Sequence, residues 1–190
     1  METIRPALLV MDVQNSVVQR FADKPDAIEA FPRALDIARR AGIPVIFVRL
    51  AFREGYPEVS ARNKSFSAIS GRGPMTVVDA STRIHDSVAP RPGELVVTKL
   101  RVSAFAGSDL EVILRSQRID TLILTGIATS GVVLSTLREA ADKDYRLVVL
   151  SDACIDADQE VHRVLMEKIF PRQADVMTVD GWAKTLSPSS

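Results

Sequence analysis

The fold class of this chain is decided by the stretch 122-LILTGIATSGVVLSTLREAADKDYRLVVLSDAC-154. It contains an apolar run at Leu122–Leu124, an amphipathic segment at Ser130–Lys143 and a second apolar run at Leu147–Leu150. Short apolar runs bounded by turn residues are typical of strands buried on both faces, and apolar residues three and four positions apart predict a helix that packs on a sheet. The stretch therefore predicts a β-α-β unit with parallel strands.

The same alternation extends outward along the whole chain. Four more strands are predicted at Ala7–Met11, Val45–Val48, Leu95–Thr98 and Val176–Val179. Three more helices are predicted at Ile28–Ala41, Leu110–Gln117 and Gln159–Ile169. Alternating strands and helices predict a three-layer α/β/α sandwich around a doubly wound, mainly parallel six-stranded sheet. We expect residues 1–190 to form one domain, because this length supports one substantial core.

Composition and charge narrow the classes of partner. Lys and Arg total 24, as do Asp and Glu, so the chain lacks the basic footprint that nucleic acid requires. The first apolar run is too short for a signal peptide or a membrane span, so we expect no membrane partner. One cysteine, Cys154, and two histidines, His85 and His162, leave little material for disulfides or a zinc site. We expect a cytoplasmic protein with no metal and no cofactor.

Residues that follow the predicted strands are the candidates for chemistry, because ligands bind beyond the carboxyl ends of parallel strands. Asp12 follows the first strand, Lys99 the third, and Asp152 with Cys154 the fifth. We expect Asp12 and Lys99 to meet above the sheet, where burial raises the pKa of the carboxyl and the ammonium lowers it. That combination suits an acid or base, but a helix cap and a structural ion pair fit the same two residues.

Two neighbouring segments are candidates for binding a substrate. The turn Gly126–Ser130 joins a strand to a helix, with Thr129 or Ser130 as the N-cap, and its backbone N–H groups could bind an oxyanion, as at many such junctions. Arg101 and Phe105 closely follow Lys99, and we expect them to line the same cleft. A guanidinium there could hold a carboxylate with two hydrogen bonds, although a surface arginine is the commoner case.

The remaining candidates are an aperiodic segment and the lone cysteine. The segment from Ala51 to Pro74 shows no clear period, which predicts a long loop of the kind that often covers a site. Cys154 fits a small buried hydrophobe better than a nucleophile, because neither histidine is adjacent to it in sequence. His162 is predicted on the polar side of its helix.

Three blocks in this order and spacing, 8-LLVMDVQN-15, 96-VVTKLRVSAFAGSDLEVILR-115 and residues 122–154, resemble the isochorismatase-like (cysteine hydrolase) superfamily over nearly the whole chain. The resemblance implies a hydrolase of a small molecule that forms a homo-oligomer. Relatives that use a cysteine have an Asp-Lys-Cys triad. Asp12 and Lys99 match its first two members, and Val132 stands at the position of the cysteine.

The resemblance also implies the rest of the site. The family has a non-proline cis peptide that helps form the oxyanion hole, and it falls at Ile127–Ala128 here. We take four residues of these blocks as substrate-binding: Gln14, Arg101, Phe105 and Thr129. The Asp and His metal ligands of nicotinamidases, which come after the second strand, have no counterpart in Val48–Phe52.

Val132 restricts the chemistry that the resemblance implies. Valine has no lone pair, so it cannot form a covalent intermediate. True isochorismatases of the family also lack the cysteine and use the Asp to assist hydrolysis of a vinyl ether through an oxocarbenium-like species. Asp12 and Lys99 acid–base chemistry is the implied mechanism, although Leu100 and Val102 replace aromatics usual in those enzymes. The alternatives are a catalytically silent binding or scaffold protein, and a substitute nucleophile at Cys154 or Ser130.

Overall fold

A computed structural model describes residues 4–22, 28–71 and 73–186 of the chain, and its centre is a six-stranded parallel sheet. The strands are β1 (Pro6–Met11), β2 (Val45–Leu50), β3 (Leu95–Lys99), β4 (Thr121–Ile127), β5 (Arg146–Ile155) and β6 (Asp175–Met177). Their order across the sheet is β3-β2-β1-β4-β5-β6. This order confirms the doubly wound α/β/α architecture, and the winding reverses between β1 and β4, where such sheets bind ligands.

Helices cover both faces of the sheet. They are α1 (Asn15–Val18), α2 (Ala30–Arg40), α3 (Leu110–Ser116), α4 (Leu134–Asp142), α5 (Gln159–Val164) and α6 (Val179–Leu186). Alternate residues of β1 enter opposite layers: Ala7, Leu9 and Met11 pack with α3 and α4, whereas Leu8 and Val10 pack with α2 and α6. None of the helices in the described ranges is long and apolar enough to span a membrane.

Two strand predictions were wrong in ways that matter for the site. The strand predicted at Val176–Val179 ends at Met177, and Val179 instead begins α6, which the sequence analysis missed. β5 continues past Leu150 to Ile155 because its pairing with β4 shifts register between Leu124 and Gly126. Asp152 and Cys154 therefore lie within β5, and the residue that follows this strand is Asp156.

The helix predicted at Ser130–Lys143 is divided into two parts. Thr129–Val133 forms a π-helical turn with a non-helical Gly131 (φ −100°, ψ −105°), and α4 begins at Leu134. The N-cap position is Ala128, with no side-chain cap, so the prediction of a Thr129 or Ser130 N-cap was wrong. The turn is thereby a separate element between β4 and α4, and it carries Val132.

The segment between β2 and β3 consists of short turns and has a small core of its own. Phe52, Phe66 and Ile69 are buried together, separately from the two main core layers. The backbone N–H groups of Phe52 and Val77 donate to the carbonyls of Met75 and Phe52, respectively, which closes the segment at its base. Residues 51–71 and 73–77 therefore form a compact flap beside the carboxyl ends of β1 and β2.

Candidate active site

The site begins at the reversal point of the sheet, where β1 and β4 end side by side. Met11 pairs with Gly126, and a Cβ on Gly126 would lie 2.6 Å from the Met11 carbonyl oxygen and 3.0 Å from its Cβ. Only glycine fits this close approach, because any other side chain would collide with the backbone of β1. The next residue of the β1 connection, Asp12, has a left-handed backbone (φ 58°).

Asp12 and Lys99 form a buried ion pair, as expected from their positions after β1 and at the end of β3. The Lys99 ammonium is 1% exposed and lies 3.0 Å from Asp12 Oδ2. It also donates to the carbonyls of Arg101 (2.8 Å) and Val102 (3.1 Å), so all three of its N–H donors have acceptors. The ammonium is therefore fixed in position, with one acceptor from Asp12 and two from the following loop.

The two oxygens of Asp12 differ in their surroundings. Oδ2 accepts from Lys99, whereas Oδ1 is buried and has no hydrogen-bond partner among the described residues. Burial raises the pKa of the Asp12 carboxyl, and the charge and hydrogen bond of Lys99 offset only part of this rise. The carboxyl therefore holds its proton more tightly than an ordinary aspartic acid, and Oδ1 is the oxygen free to carry it.

A cavity of about 650 Å³ opens next to this pair. Its base is formed by Asp12, Lys99, Ile127, Ala128, Gly131 and Val132. The flap supplies one wall through Phe66, Ile69 and Met75, and the α1 region supplies another through Val17, Arg20 and Phe21. The volume suits a small molecule, and mainly apolar residues surround the charged Asp12–Lys99 pair.

Val132 lies at the base of this cavity, on the π-helical turn. Its side chain is 2% exposed and also packs in the core layer of α3 and α4. The Ile127–Ala128 peptide bond upstream of it is cis, as expected, and both residues line the same cavity. The position implied for the nucleophile thus holds a hydrocarbon side chain at a cavity that contains a carboxyl and an ammonium.

Asp156 is a cavity residue that the sequence analysis missed. Its Oδ2 accepts from the Ser130 N–H at 2.7 Å and its Oδ1 from the Asp158 N–H at 3.3 Å. The nearby Thr129 hydroxyl is hydrogen-bonded to Nδ1 of His162 on α5 at 2.8 Å. Two successive residues of the π-helical turn are therefore tied to the segment that follows β5. The signal that could have identified Asp156 is the apolar continuation Ala153–Ile155, which extends the strand.

His162 is half-buried rather than on a purely polar helix face. Burial lowers its pKa, and the charge of Asp156 opposes this shift in part. No three His, Cys, Asp or Glu side chains cluster as a possible metal site in residues 4–22, 28–71 and 73–186.

The structure does not bring all predicted substrate-binding residues to the cavity. Gln14 lines it, but its amide donates to the Leu50 and Thr82 carbonyls and accepts from the Leu50 N–H. Thr129, the first residue of the π-helical turn, is fully buried and does not line the cavity. Phe105 packs in the core, stacked on Tyr145 at 6.2 Å between ring centroids.

Arg101 is engaged within the protein rather than directed into the cavity. Its guanidinium donates to the Leu100 and Glu58 carbonyls at 2.6 and 2.8 Å and lies 5.6 Å from the centroid of the Phe66 ring. These contacts do not support the expected binding of a substrate carboxylate by Arg101.

The two candidate substitute nucleophiles also lie away from the cavity lining. Cys154 is buried within β5, its thiol points to the Leu124 carbonyl at 3.9 Å, and burial raises its pKa far above the ordinary value. Ser130 is exposed on the outer side of the turn. A buried thiol with a raised pKa is a poor nucleophile.

Comparison with known proteins identifies relatives along most of the chain. Residues 6–181 match the isochorismatase domain. YecD of Escherichia coli O157:H7, an isochorismatase family protein, is 32% identical over 178 residues, which cover 92% of each chain. Ureidoacrylate amidohydrolase RutB of Stutzerimonas stutzeri (strain A1501) is 30% identical over 212 residues, covering 98% of this chain and 82% of that one. The structure of N-carbamoylsarcosine amidase from Thermoplasma acidophilum superimposes with a TM-score of 0.76 at 29% identity, covering 93% of this chain and 98% of that one.

Proposed function

Because this chain belongs to the isochorismatase family of hydrolases, we propose that it hydrolyses a small molecule through Asp12 and Lys99 without a covalent enzyme intermediate. The proposed substrate class is a vinyl ether. One observation carries the proposal: the buried Asp12–Lys99 pair lines the same cavity as Val132, the residue to which the resemblance assigns the position of the family cysteine. The site keeps an acid and a fixed cation but presents no nucleophile at that position.

Asp12 is the proposed general acid. Its raised pKa favours the protonated form, and its unpartnered Oδ1 is where the proton would reside, since Oδ2 accepts from Lys99. In the proton transfer, the π electrons of the vinyl ether form a C–H bond at the terminal carbon, while the O–H bond of Asp12 breaks and leaves its electron pair on the carboxylate. The other vinyl carbon becomes an oxocarbenium-like cation, stabilised by a lone pair of the ether oxygen. The Lys99 ammonium then stabilises the Asp12 carboxylate that is left behind.

Water completes the proposed reaction. It adds to the oxocarbenium carbon, and one of its protons returns to the Asp12 carboxylate. The resulting hemiketal then breaks its C–O bond while its hydroxyl proton passes to the leaving oxygen, which releases an alcohol and a ketone. We assign the Ile127–Ala128 backbone to the hemiketal oxygen on which negative charge develops during this collapse, because both residues line the cavity. Every atom comes from substrate or water, so no enzyme nucleophile is needed.

Arg20 is the proposed contact for an anionic end of the substrate. Among the described charged residues of the cavity, Asp12, Lys99 and Asp156 have partners at short distance, whereas Arg20 has no hydrogen bond or ion pair with another described residue. Arg20 lines the cavity and is exposed to solvent, and a guanidinium in such a place can hold a carboxylate with two parallel hydrogen bonds. This arrangement places a charged end at Arg20 and the reacting end near Asp12.

The names of the relatives suggest a different bond. Ureidoacrylate amidohydrolase and N-carbamoylsarcosine amidase are named for cleaving amide-type bonds. The methyl groups of Val132 cannot attack a carbonyl carbon, and Cys154 and Ser130 are not in the cavity lining. These features favour hydrolysis by protonation over hydrolysis by covalent attack.

The test is a survey of vinyl ethers, carboxamides and carbamoyl compounds with wild-type, Asp12→Asn and Asp156→Asn proteins. Asp156→Asn is the matched control, because it removes a carboxylate from the same cavity yet keeps an acceptor for the Ser130 N–H. We expect vinyl ether hydrolysis that Asp12→Asn strongly slows and Asp156→Asn largely retains. Full turnover by Asp12→Asn would refute the assigned role of Asp12.

A catalytically silent binding protein is the second candidate function. The observation that favours it is the packing of Val132 in a buried hydrophobic cluster, where it acts as a core residue. Under this alternative, ligands still bind in the cavity and stabilise the fold, but none is turned over. This candidate would be favoured if a compound bound saturably and stayed unchanged, and if no class of compound in the survey were hydrolysed.

A further inference from the structure

Arg101 makes a set of contacts that links the flap to the loop after β3. Its guanidinium donates to the carbonyl of Glu58, which lies 43 residues earlier in the flap, and lies over the ring of Phe66 in the same flap. A third contact, to the carbonyl of Leu100, fixes the guanidinium near its own backbone. The planar group thus joins two segments that are far apart in sequence.

The backbone of the same residue holds the catalytic lysine. The Arg101 carbonyl accepts from Lys99 Nζ at 2.8 Å, and this ammonium is the one that contacts Asp12 at 3.0 Å. A displacement of the Arg101 backbone would therefore move an acceptor of Lys99. One residue contacts both the cation of the active site and the flap.

Phe66 connects these contacts to the cavity. It lines the cavity wall, packs against Phe52 in the flap core at 6.0 Å between ring centroids, and presents its ring face to Arg101. A cation over an aromatic ring is attracted by the ring electrons, and hydrogen bonds from a charged donor are stronger than neutral ones. The position of the cavity wall is therefore coupled to the guanidinium.

We propose that Arg101 is a positioning residue. Its contacts with Glu58 and Phe66 hold the flap in position, its backbone carbonyl holds the Lys99 ammonium, and the two positions therefore depend on each other. The assignment of Lys99 as a catalytic group rests on the proposed function. The coupling itself rests on the contacts above. Loss of the guanidinium frees the flap and lets the Arg101 carbonyl shift, so Lys99 holds Asp12 less closely.

The test uses Arg101→Lys, Arg101→Gln and the matched control Arg53→Gln. Arg53 is a second arginine bound to Glu58, but it pairs with the Glu58 side chain and is largely exposed. It touches neither Phe66 nor Lys99 in the described contacts. Amide hydrogen exchange of residues 58–69 measures the flap, and the titration midpoint of the ¹³C-labelled Asp12 carboxyl measures the ion pair. Neither measurement needs a substrate, so the result is separable from failure of the proposed function.

We expect exchange in residues 58–69 to rise about tenfold or more in both Arg101 variants. We also expect the midpoint of Asp12 to move upward by about half a pH unit or more, because the lowering effect of Lys99 weakens. Arg53→Gln should leave both measurements near wild type. Faster exchange with an unchanged Asp12 midpoint would show a merely structural role and overturn the coupling, as would wild-type exchange in both variants. If Arg101→Gln does not fold, Arg101→Lys decides by the same criteria.

Discussion

Replacing Val132 with cysteine tests whether a side chain at position 132 is accessible from the cavity and is influenced by the charged groups of Asp12 and Lys99. Val132 is 2% exposed and lines the cavity, whereas the adjacent Val133 is fully buried and does not line it. Val132→Cys and Val133→Cys each remove about one buried carbon, worth about 1 kcal/mol. For a chain of this size, that loss lowers Tm by about 2–4 °C. The two variants should therefore be equally stable, and differ only in what surrounds the new thiol.

The assay is alkylation by iodoacetamide under native conditions, followed by intact-protein mass spectrometry. The natural Cys154 is buried and burial raises its pKa, so wild-type protein should remain unlabelled. A thiol at position 132 can use the cavity for access, and the Lys99 ammonium, which lines the same cavity, is expected to stabilise its thiolate. We expect it to react about tenfold faster or more than a thiol at position 133.

Two results would refute this reasoning. Equal labelling of the two variants would show that the cavity does not give position 132 special access. Protection of both thiols to the level of Cys154 would show that position 132 lies in a closed apolar region. The Asp12–Lys99 pair would then not act on a group at that position. Either result would favour the catalytically silent alternative.

Three further predictions concern acidity, charge and packing. Asp12→Asn should lower kcat about 100-fold to 10,000-fold in a steady-state assay, the range for loss of a positioned general acid, and wild-type turnover should fall as pH rises through the raised pKa of Asp12. The folded Asp12 carboxyl also binds its proton more tightly than the unfolded one, because its pKa is raised from 3.8. Its contribution to the free energy of unfolding is therefore present below about pH 3.8 and is lost as pH rises through the raised pKa. Urea titrations across pH should show this fall in the wild-type protein and a smaller one in Asp12→Asn. Arg20→Gln should raise KM for an anionic substrate about tenfold with little change in kcat, and an equal effect on a neutral analogue would contradict the assigned contact. Gly126→Ala should destabilise the fold by about 2 kcal/mol or more in urea denaturation, because its Cβ would lie 2.6 Å from the Met11 carbonyl oxygen, and unchanged stability would disprove the close approach.

The fold could be predicted from sequence because its signals are local. The apolar runs in β1, β2 and β4 are uninterrupted and bounded by turn residues, so the local pattern was enough to locate them. α6 was missed because Val179 continues the apolar pattern of β6. The extension of β5 was missed because a register shift against β4, a tertiary feature, lets the strand continue through Asp152.

The site was predictable only where the topology fixes it. Asp12 and Lys99 follow strands of one parallel sheet, so their meeting follows from the fold. The contacts of Arg101 and Phe105 do not follow from the fold. Their partners, Glu58 and Tyr145, lie 43 and 40 residues away, and no periodic pattern links them. Contacts of that kind depend on how an aperiodic segment folds back, which local sequence does not encode.

The central claim is hydrolysis by proton transfer without a covalent enzyme intermediate. It is tested most directly by measuring the mass of the intact protein during turnover. A vinyl ether that the wild-type protein hydrolyses would be mixed with it at saturation, quenched in acid at successive times and analysed by intact mass spectrometry. We predict the unmodified mass at every time while ketone accumulates. A transient adduct of substrate mass on the protein would contradict the account and would direct attention to the hydroxyls of Ser16 and Ser65, which line the cavity.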